Sequence, residues 1–231
     1  MLTMLKLRPS TVWCVCALLA CTACASVSTK QESGVVSEAA SAVTAADSSR
    51  PGRRNSSTAR SAVLRAAVGG AIGAIIGREM DQQAKELKQK IPGAVVERVG
   101  EGLLVTFSAG QLFEFDSDRL LGESAKNFST LAKSLVKHPG TNLLIVGHAD
   151  SLGTTAVNQD LSLRRARATA AYLTSQGVAF GRIQSEGKGE LEPIADNSTE
   201  AGQARNRRVE VAIFSNELGR ARAAAKAAQR P

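Results

Sequence analysis

Hydrophobic and polar positions change period several times along the chain, and each change predicts an element. Residues 94–108 alternate apolar and polar, AVVERVGEGLLVTF, around Gly100 and Gly102, a hairpin pattern. QLFEFDSD at 111–118 continues extended into a loop. From Glu123 to Lys137 the apolar residues Ala125, Phe128, Leu131, Ala132 and Leu135 form a helical stripe that Pro139-Gly140 ends. NLLIVG at 142–147 is a continuous apolar run, as in a strand buried on both faces. A second helix covers Asn158 to Gln176, with Leu163, Ala166, Ala170 and Leu173 as its core stripe and Gly177 as its stop. Arg182 to Gly187 reads as a short strand, 193–207 as a polar connection, and RVEVAIF at 208–214 as a last strand. The order β, α, β, α, β, β predicts an α+β fold, a two-layer βαβαββ sandwich with helices on one face of a mixed sheet.

Upstream, AAVGGAIGAIIG places Gly69, Gly73 and Gly77 at intervals of four, on one face if the segment is helical. The apolar run from Ala66 to Gly77 is too short to span a bilayer. The two readings are a glycine-zipper helix that self-associates and a flexible hinge; the regular spacing favours the zipper. MDQQAKELKQK then reads as a solvated helix ended by Pro92-Gly93. Residues 25 to about 60 are rich in Ser, Thr, Ala and Gly without periodicity, a tether whose reach is on the order of 100 Å at about 3.3 Å per residue. Residues 216–231 are rich in Ala and Arg and read as a solvated helical tail.

Residues 1–20 have a basic start, Lys6 and Arg8, then an uncharged apolar stretch from Thr11 to Ala20, as in a secretory signal. Leu18-Leu19-Ala20-Cys21 resembles the bacterial lipobox, which implies lipidation of Cys21; Cys24 is a poorer candidate. Acyl chains on one cysteine would anchor the protein stably in a membrane. Thr22 follows in place of an aspartate, which by resemblance to bacterial lipoprotein sorting favours the outer membrane. The expected organisation is a signal at 1–20, a lipidated tether at 21–60, a zipper and polar helix at 61–92, a folded domain at 94–215 and a basic tail at 216–231.

Composition narrows the function classes. Cys14, Cys16, Cys21 and Cys24 are the only cysteines, so the folded part has neither disulfides nor a cysteine metal site. Aromatic residues make up 3% of the chain, too few for a base-stacking platform, and the predicted export also argues against nucleic acid. The net charge of +8 suits an anionic partner without naming one. Neither His138 nor His148 has a nucleophile–base pattern around it, so a wall hydrolase is a remote alternative. His148 and Asp150 alone do not make a metal site, and neither a metal nor a cofactor is expected.

GHADSLGTTAVNQDLSLRRARATAAYL, from Gly147 to Leu173, carries the candidate chemistry. An acid in a loop, Asp150, precedes a helix with Asn158 and Arg165. Asn158 and Arg165 are two helical turns apart, on one face. On the residues alone, an ion pair between Asp150 and Arg165 is the plainer reading. Four pieces in order change the balance: FEFDSD, IVGHADSLG, NQDLSLRRARATAAYL and NRRVEVAI. Residues of about 94–215 resemble the OmpA-like C-terminal domain, and with the lipobox and zipper the chain looks most like small outer-membrane lipoproteins of the YiaD type. The resemblance implies non-covalent binding of peptidoglycan through the diaminopimelate of its stem peptide. It places the ligand ammonium on Asp150 and the ligand carboxylate on Arg165. Asn158 would add a hydrogen bond, Arg207 follows as a further groove arginine, and Asp116 and Ser117 rank below. Ala149 departs from the commoner Thr or Ser before the aspartate. Expected partners are peptidoglycan, outer-membrane lipid through acylated Cys21, and a second copy through Gly69, Gly73 and Gly77. An envelope signalling or assembly role through the zipper is the alternative.

Overall fold

A computed structural model describes residues 57–114 and 116–229. The signal, Cys21 and most of the tether lie outside the described residues. The elements are α1 (Thr58–Arg65), α2 (Gly70–Lys90), β1 (Val95–Val99), β2 (Gly102–Ser108), α3 (Ala109–Leu112), α4 (Gly122–Lys137), β3 (Thr141–His148), α5 (Thr155–Ser175), β4 (Ile183–Gly187), α6 (Glu200–Asn206), β5 (Arg208–Ser215) and α7 (Glu217–Ala228). The strands form a five-stranded mixed sheet in the order β1-β2-β5-β3-β4. β1–β2, β2–β5 and β3–β5 are antiparallel and β3–β4 is parallel.

The apolar run of β3 is buried on both faces, as its composition predicts. Leu143 and Ile145 join Leu103, Val105, Phe107, Val211 and Ile213 in the larger core, beneath α2, α4 and α5. Leu144 and Val146 face the other way, with Leu104 and Ala212, and are covered by Ala59 and Val63 of α1. This corrects the expectation of helices on one face only. The sheet is strongly apolar on both sides, so each side needs a cover.

Three further expectations change. The glycine repeat is not one helix face, because the chain breaks between α1 and α2. Gly69 has φ 75° and Gly70 has φ 63°. The Glu101 carboxylate, at the hairpin turn, accepts from Val68 N at 2.7 Å and Gly69 N at 2.6 Å, and so holds the break open. Gly73 sits against Glu101, and a β-carbon there would come within 2.0 Å of its Oε1. The small residues therefore seat α2 on this chain's own hairpin. Second, MDQQAKELKQK is not solvated all round: Met80, Gln83, Ala84 and Leu87 are buried. Third, the tail buries Ala223 in the larger core and ties Lys226 to Glu79 at 2.8 Å.

Segment 111–118 is also not a strand. α3 ends at Leu112, and Phe113 bridges Leu120 across a loop. The polar connection before β5 holds α6, capped by Thr199, whose side chain accepts from Gly202 N.

Candidate functional site

The carboxyl ends of β3 and β4 lie side by side, and the loops leaving them build one end of the sheet. α5 crosses them at very short range. A β-carbon on Gly147 would come within 2.0 Å of Ser162 O, and one on Gly187 within 2.6 Å of Leu163 N. Glycine at these two positions lets the helix backbone rest on the strands, which carries Arg165 to the strand ends.

Asp150 leaves β3 in a local turn, its Oδ1 accepting from Leu152 N at 3.1 Å. Thr154 caps α5 by accepting from Val157 N at 3.3 Å. Asn158 lies one turn into the helix. Its Nδ2 donates to Asp150 O at 3.2 Å and to Glu190 Oε2 at 2.7 Å. Both amide hydrogens are thus taken, and Asn158 holds the Asp150 loop in place. Only its Oδ1 is left for a ligand. Glu190 Oε1 accepts from Thr155 Oγ1 at 2.9 Å, so one carboxylate ties the loop after β4 to the start of α5.

Arg165 is 6% exposed and Asp150 is 6% exposed. Arg165 Nε donates to Ser117 O at 2.9 Å, and its guanidinium carbon sits 5.3 Å from the Phe113 ring centroid. Burial pulls its pKa down from the usual arginine value, with Asp116 opposing that fall. Arginine starts so high that the charge persists. Among the described residues Arg165 has no ion-pair partner, and its outer guanidinium edge makes no hydrogen bond. The expected alternative of an Asp150–Arg165 pair is therefore not formed. Asp150 instead pairs with Arg207, Nη1 to Oδ2 at 2.5 Å.

These side chains line one cleft of about 620 Å³, which holds Asp116, Asp150, Asn158, Arg165 and Arg207 together. Leu152, Glu200 and Gln203 complete its rim. Ser117 contributes its backbone carbonyl, while its Oγ accepts from Arg119 N at 3.0 Å. Asp116, at φ 48°, is a non-glycine residue in the left-handed region, where the loop turns beside Arg165. Ala149 lies in the cleft wall, and its N–H donates to Gly189 O at 2.8 Å. No cluster of metal-ligating side chains occurs among the described residues, and none of their helices is long and apolar enough to cross a membrane.

The stretch of chain that builds this cleft matches a known family. The OmpA family profile covers residues 112–207, which contain every one of the cleft residues named above. Outer-membrane lipoprotein YfiB of Pseudomonas aeruginosa is 34% identical over 113 residues, 49% of this chain and 67% of that protein. The chain belongs to the OmpA family. The probable lipoprotein YiaD of Escherichia coli is 35% identical over 144 residues, 62% of this chain and 66% of that protein. Peptidoglycan-binding protein ArfA of Mycobacterium tuberculosis is 36% identical over 101 residues, 44% of this chain and 31% of that protein. The chain thus spans a third to two thirds of the length of these OmpA-family relatives. A putative MotB-like protein from Desulfovibrio vulgaris shares the fold, with a TM-score of 0.56 at 22% identity, over 63% of this chain and 96% of that one. The OmpA family is not enzymatic, and the wall-hydrolase alternative falls with that membership.

Glu190 and Phe113 were missed in the sequence. Glu190 orients Asn158, and Phe113 packs under Arg165. Glu190 stands three residues beyond the end of a strand pattern, but nothing in the sequence pairs that strand with β3. Phe113 was visible as an aromatic in FEFDSD, though without a partner.

Proposed function

We propose that the protein binds peptidoglycan non-covalently through the diaminopimelate of the stem peptide, as an outer-membrane lipoprotein anchored at Cys21. The observation that carries the reading is Arg165: a nearly buried guanidinium with an unoccupied outer edge, in a cleft shared with Asp150. The free end of diaminopimelate carries an ammonium and a carboxylate on one carbon. The carboxylate lies across Arg165, and the ammonium joins Arg207 on Asp150. A carboxylate offers about four lone-pair sites, so a second cation fits beside Arg207. Two opposite charges at fixed spacing accept a zwitterion and reject a ligand lacking either group. Charge-assisted bonds of this kind contribute roughly 1.5–3 kcal/mol each. The name of ArfA, a peptidoglycan-binding relative, supports peptidoglycan as the partner.

The full chain is expected to co-sediment with purified sacculi of the diaminopimelate type. Asp150→Ala and Arg165→Ala should each weaken binding by about ten- to a hundredfold. Wild-type sedimentation by both variants would sink the assignment. The full chain is the right reagent because α1, α2 and α7 all cover apolar surface of the 94–215 region.

A further inference from the structure

The cleft shares a wall with a second cavity. Gly110, on α3, lines the cleft and also lines this second cavity of about 840 Å³, whose other walls include Pro92, Gln111, Gly122, Lys126 and Asn127. A β-carbon on Gly110 would meet nothing within 4 Å, so the space over this shared wall is open. The two cavities meet at this shared wall on α3 and together offer a ligand two arms. The second arm differs from the first in charge. The cleft carries Glu114, Asp116 and Glu200 beside its arginines, whereas the second arm offers the ammonium of Lys126 and the amides of Gln111 and Asn127. Lys126 is exposed and has no ion-pair partner among the described residues. Asn127 makes only a long contact, Nδ2 to Pro92 O at 3.5 Å, and the Gln111 side chain makes no hydrogen bond among the described residues.

The spacing suits a peptide. Tyr172 lies two turns beyond Arg165 on α5 and donates to Ala125 O at 2.9 Å. Two turns rise about 10 Å, so the start of α4, where Lys126 sits, is separated from Arg165 by on the order of 10 Å. About three extended residues cover that length.

We propose that this second arm takes the carboxylate-bearing remainder of the stem peptide whose diaminopimelate occupies the cleft. The inference rests on that reading of the cleft. The stem peptide carries free carboxylates beyond diaminopimelate. They are attracted to Lys126 and the amide donors, and repelled from the opposite rim, where Glu200 stands. The second arm thus separates a peptide in its wall context from the free diamino acid.

The test is titration calorimetry on the full chain with two ligands: free meso-diaminopimelate and the tetrapeptide L-Ala–γ-D-Glu–diaminopimelate–D-Ala. Wild type is expected to bind the tetrapeptide more tightly. Lys126→Glu should weaken the tetrapeptide about fivefold, as for an exposed charge pair, and leave free diaminopimelate unchanged. Asn127→Asp replaces an amide donor found only in the second arm with a like charge, and should weaken the tetrapeptide in the same selective way. Tetrapeptide affinity unmoved by both substitutions overturns the inference while the cleft reading stands. Equal losses for both ligands also overturn it, because the effect then acts through the cleft. A wild-type chain that binds neither ligand overturns the cleft reading and the inference together.

Discussion

Arg207 and Arg208 are adjacent in the chain and serve two opposite sides of the sheet. Arg207 reaches Asp150 in the open cleft, and its side chain is 36% exposed. Arg208 is 1% exposed and lies under α1. Its Nε donates to Glu210 Oε1 at 2.8 Å, and its Nη2 donates to Glu192 O at 3.1 Å. The other Glu210 oxygen accepts from Ser57 Oγ at 2.6 Å. Glu192 accepts from Thr58 N at 3.0 Å and from Thr58 Oγ1, which places a carboxylate at the positive end of α1. Both clusters contain a buried acid and an arginine. One leaves a guanidinium edge open in a cleft and the other uses its groups internally. Spare hydrogen-bonding capacity beside a cavity separates a binding site from a structural ion pair, and burial alone does not.

His148 belongs to the closed cluster. It pairs with Arg208 across β3–β5, and its Nε2 is 3.8 Å from Glu210 Oε1. Among the described residues neither ring nitrogen has a hydrogen-bond partner. Burial, with Arg208 and Lys188 adding positive charge, pushes its pKa down to about 2. The imidazole is therefore neutral in the folded protein across the physiological range.

The largest effect expected from this contrast is on stability. Glu210→Ala strands the Arg208 charge under α1 and should cost about 3–5 kcal/mol in urea unfolding. Asp150→Ala, whose partner Arg207 reaches solvent, should cost less than about 1 kcal/mol. Equal costs would erase the distinction between the two clusters. The second effect depends on pH. Unfolded His148 takes up a proton below its ordinary value of about 6.5, and folded His148 does not. Its stabilising contribution is complete above that value and falls as the pH drops from about 6.5 toward 2. The slope is up to about 1.4 kcal/mol per pH unit. His148→Phe should flatten the stability profile between pH 5 and 6.5, and a profile identical to wild type would place the acid sensitivity elsewhere. A third, modest effect is at the α1 cap. Ser57→Ala removes the bond to Glu210 and the cap on Arg60 N, and should cost about 1 kcal/mol. Diaminopimelate binding by the folded protein should not change. A loss of binding in this variant would mean that the two sides of the sheet are coupled.

The hairpin, the strands β3, β4 and β5, and the helices α4 and α5 were legible because each has a clear period over enough residues. Asp150 and Arg165 were legible through the order of motifs around them; Asp116, Asn158 and Arg207 line the same cleft, and Ser117 meets Arg165 only through its backbone carbonyl. The α2 stripe of Ile76, Met80, Gln83, Ala84 and Leu87 was also present in the sequence. It was obscured by the charged residues between its members, and by the more regular glycine repeat before it.

The sequence by itself determined the alternation of strands and helices, the apolar central strand and the acid-to-arginine motif, since these depend on local periodicity and neighbouring residue types. Only the tertiary structure decided which charges are used up. Asp150 meets Arg207 rather than Arg165, Asn158 spends its donors on the Asp150 loop and Glu190, and α1 seals the second face. Each of these depends on which strands lie side by side, and hydrogen-bond valence is shared out only after the backbone has brought distant residues together. The stretch from Gly147 to Leu173 carries the candidate site, and the packing around it leaves the outer guanidinium edge of Arg165 without a partner among the described residues.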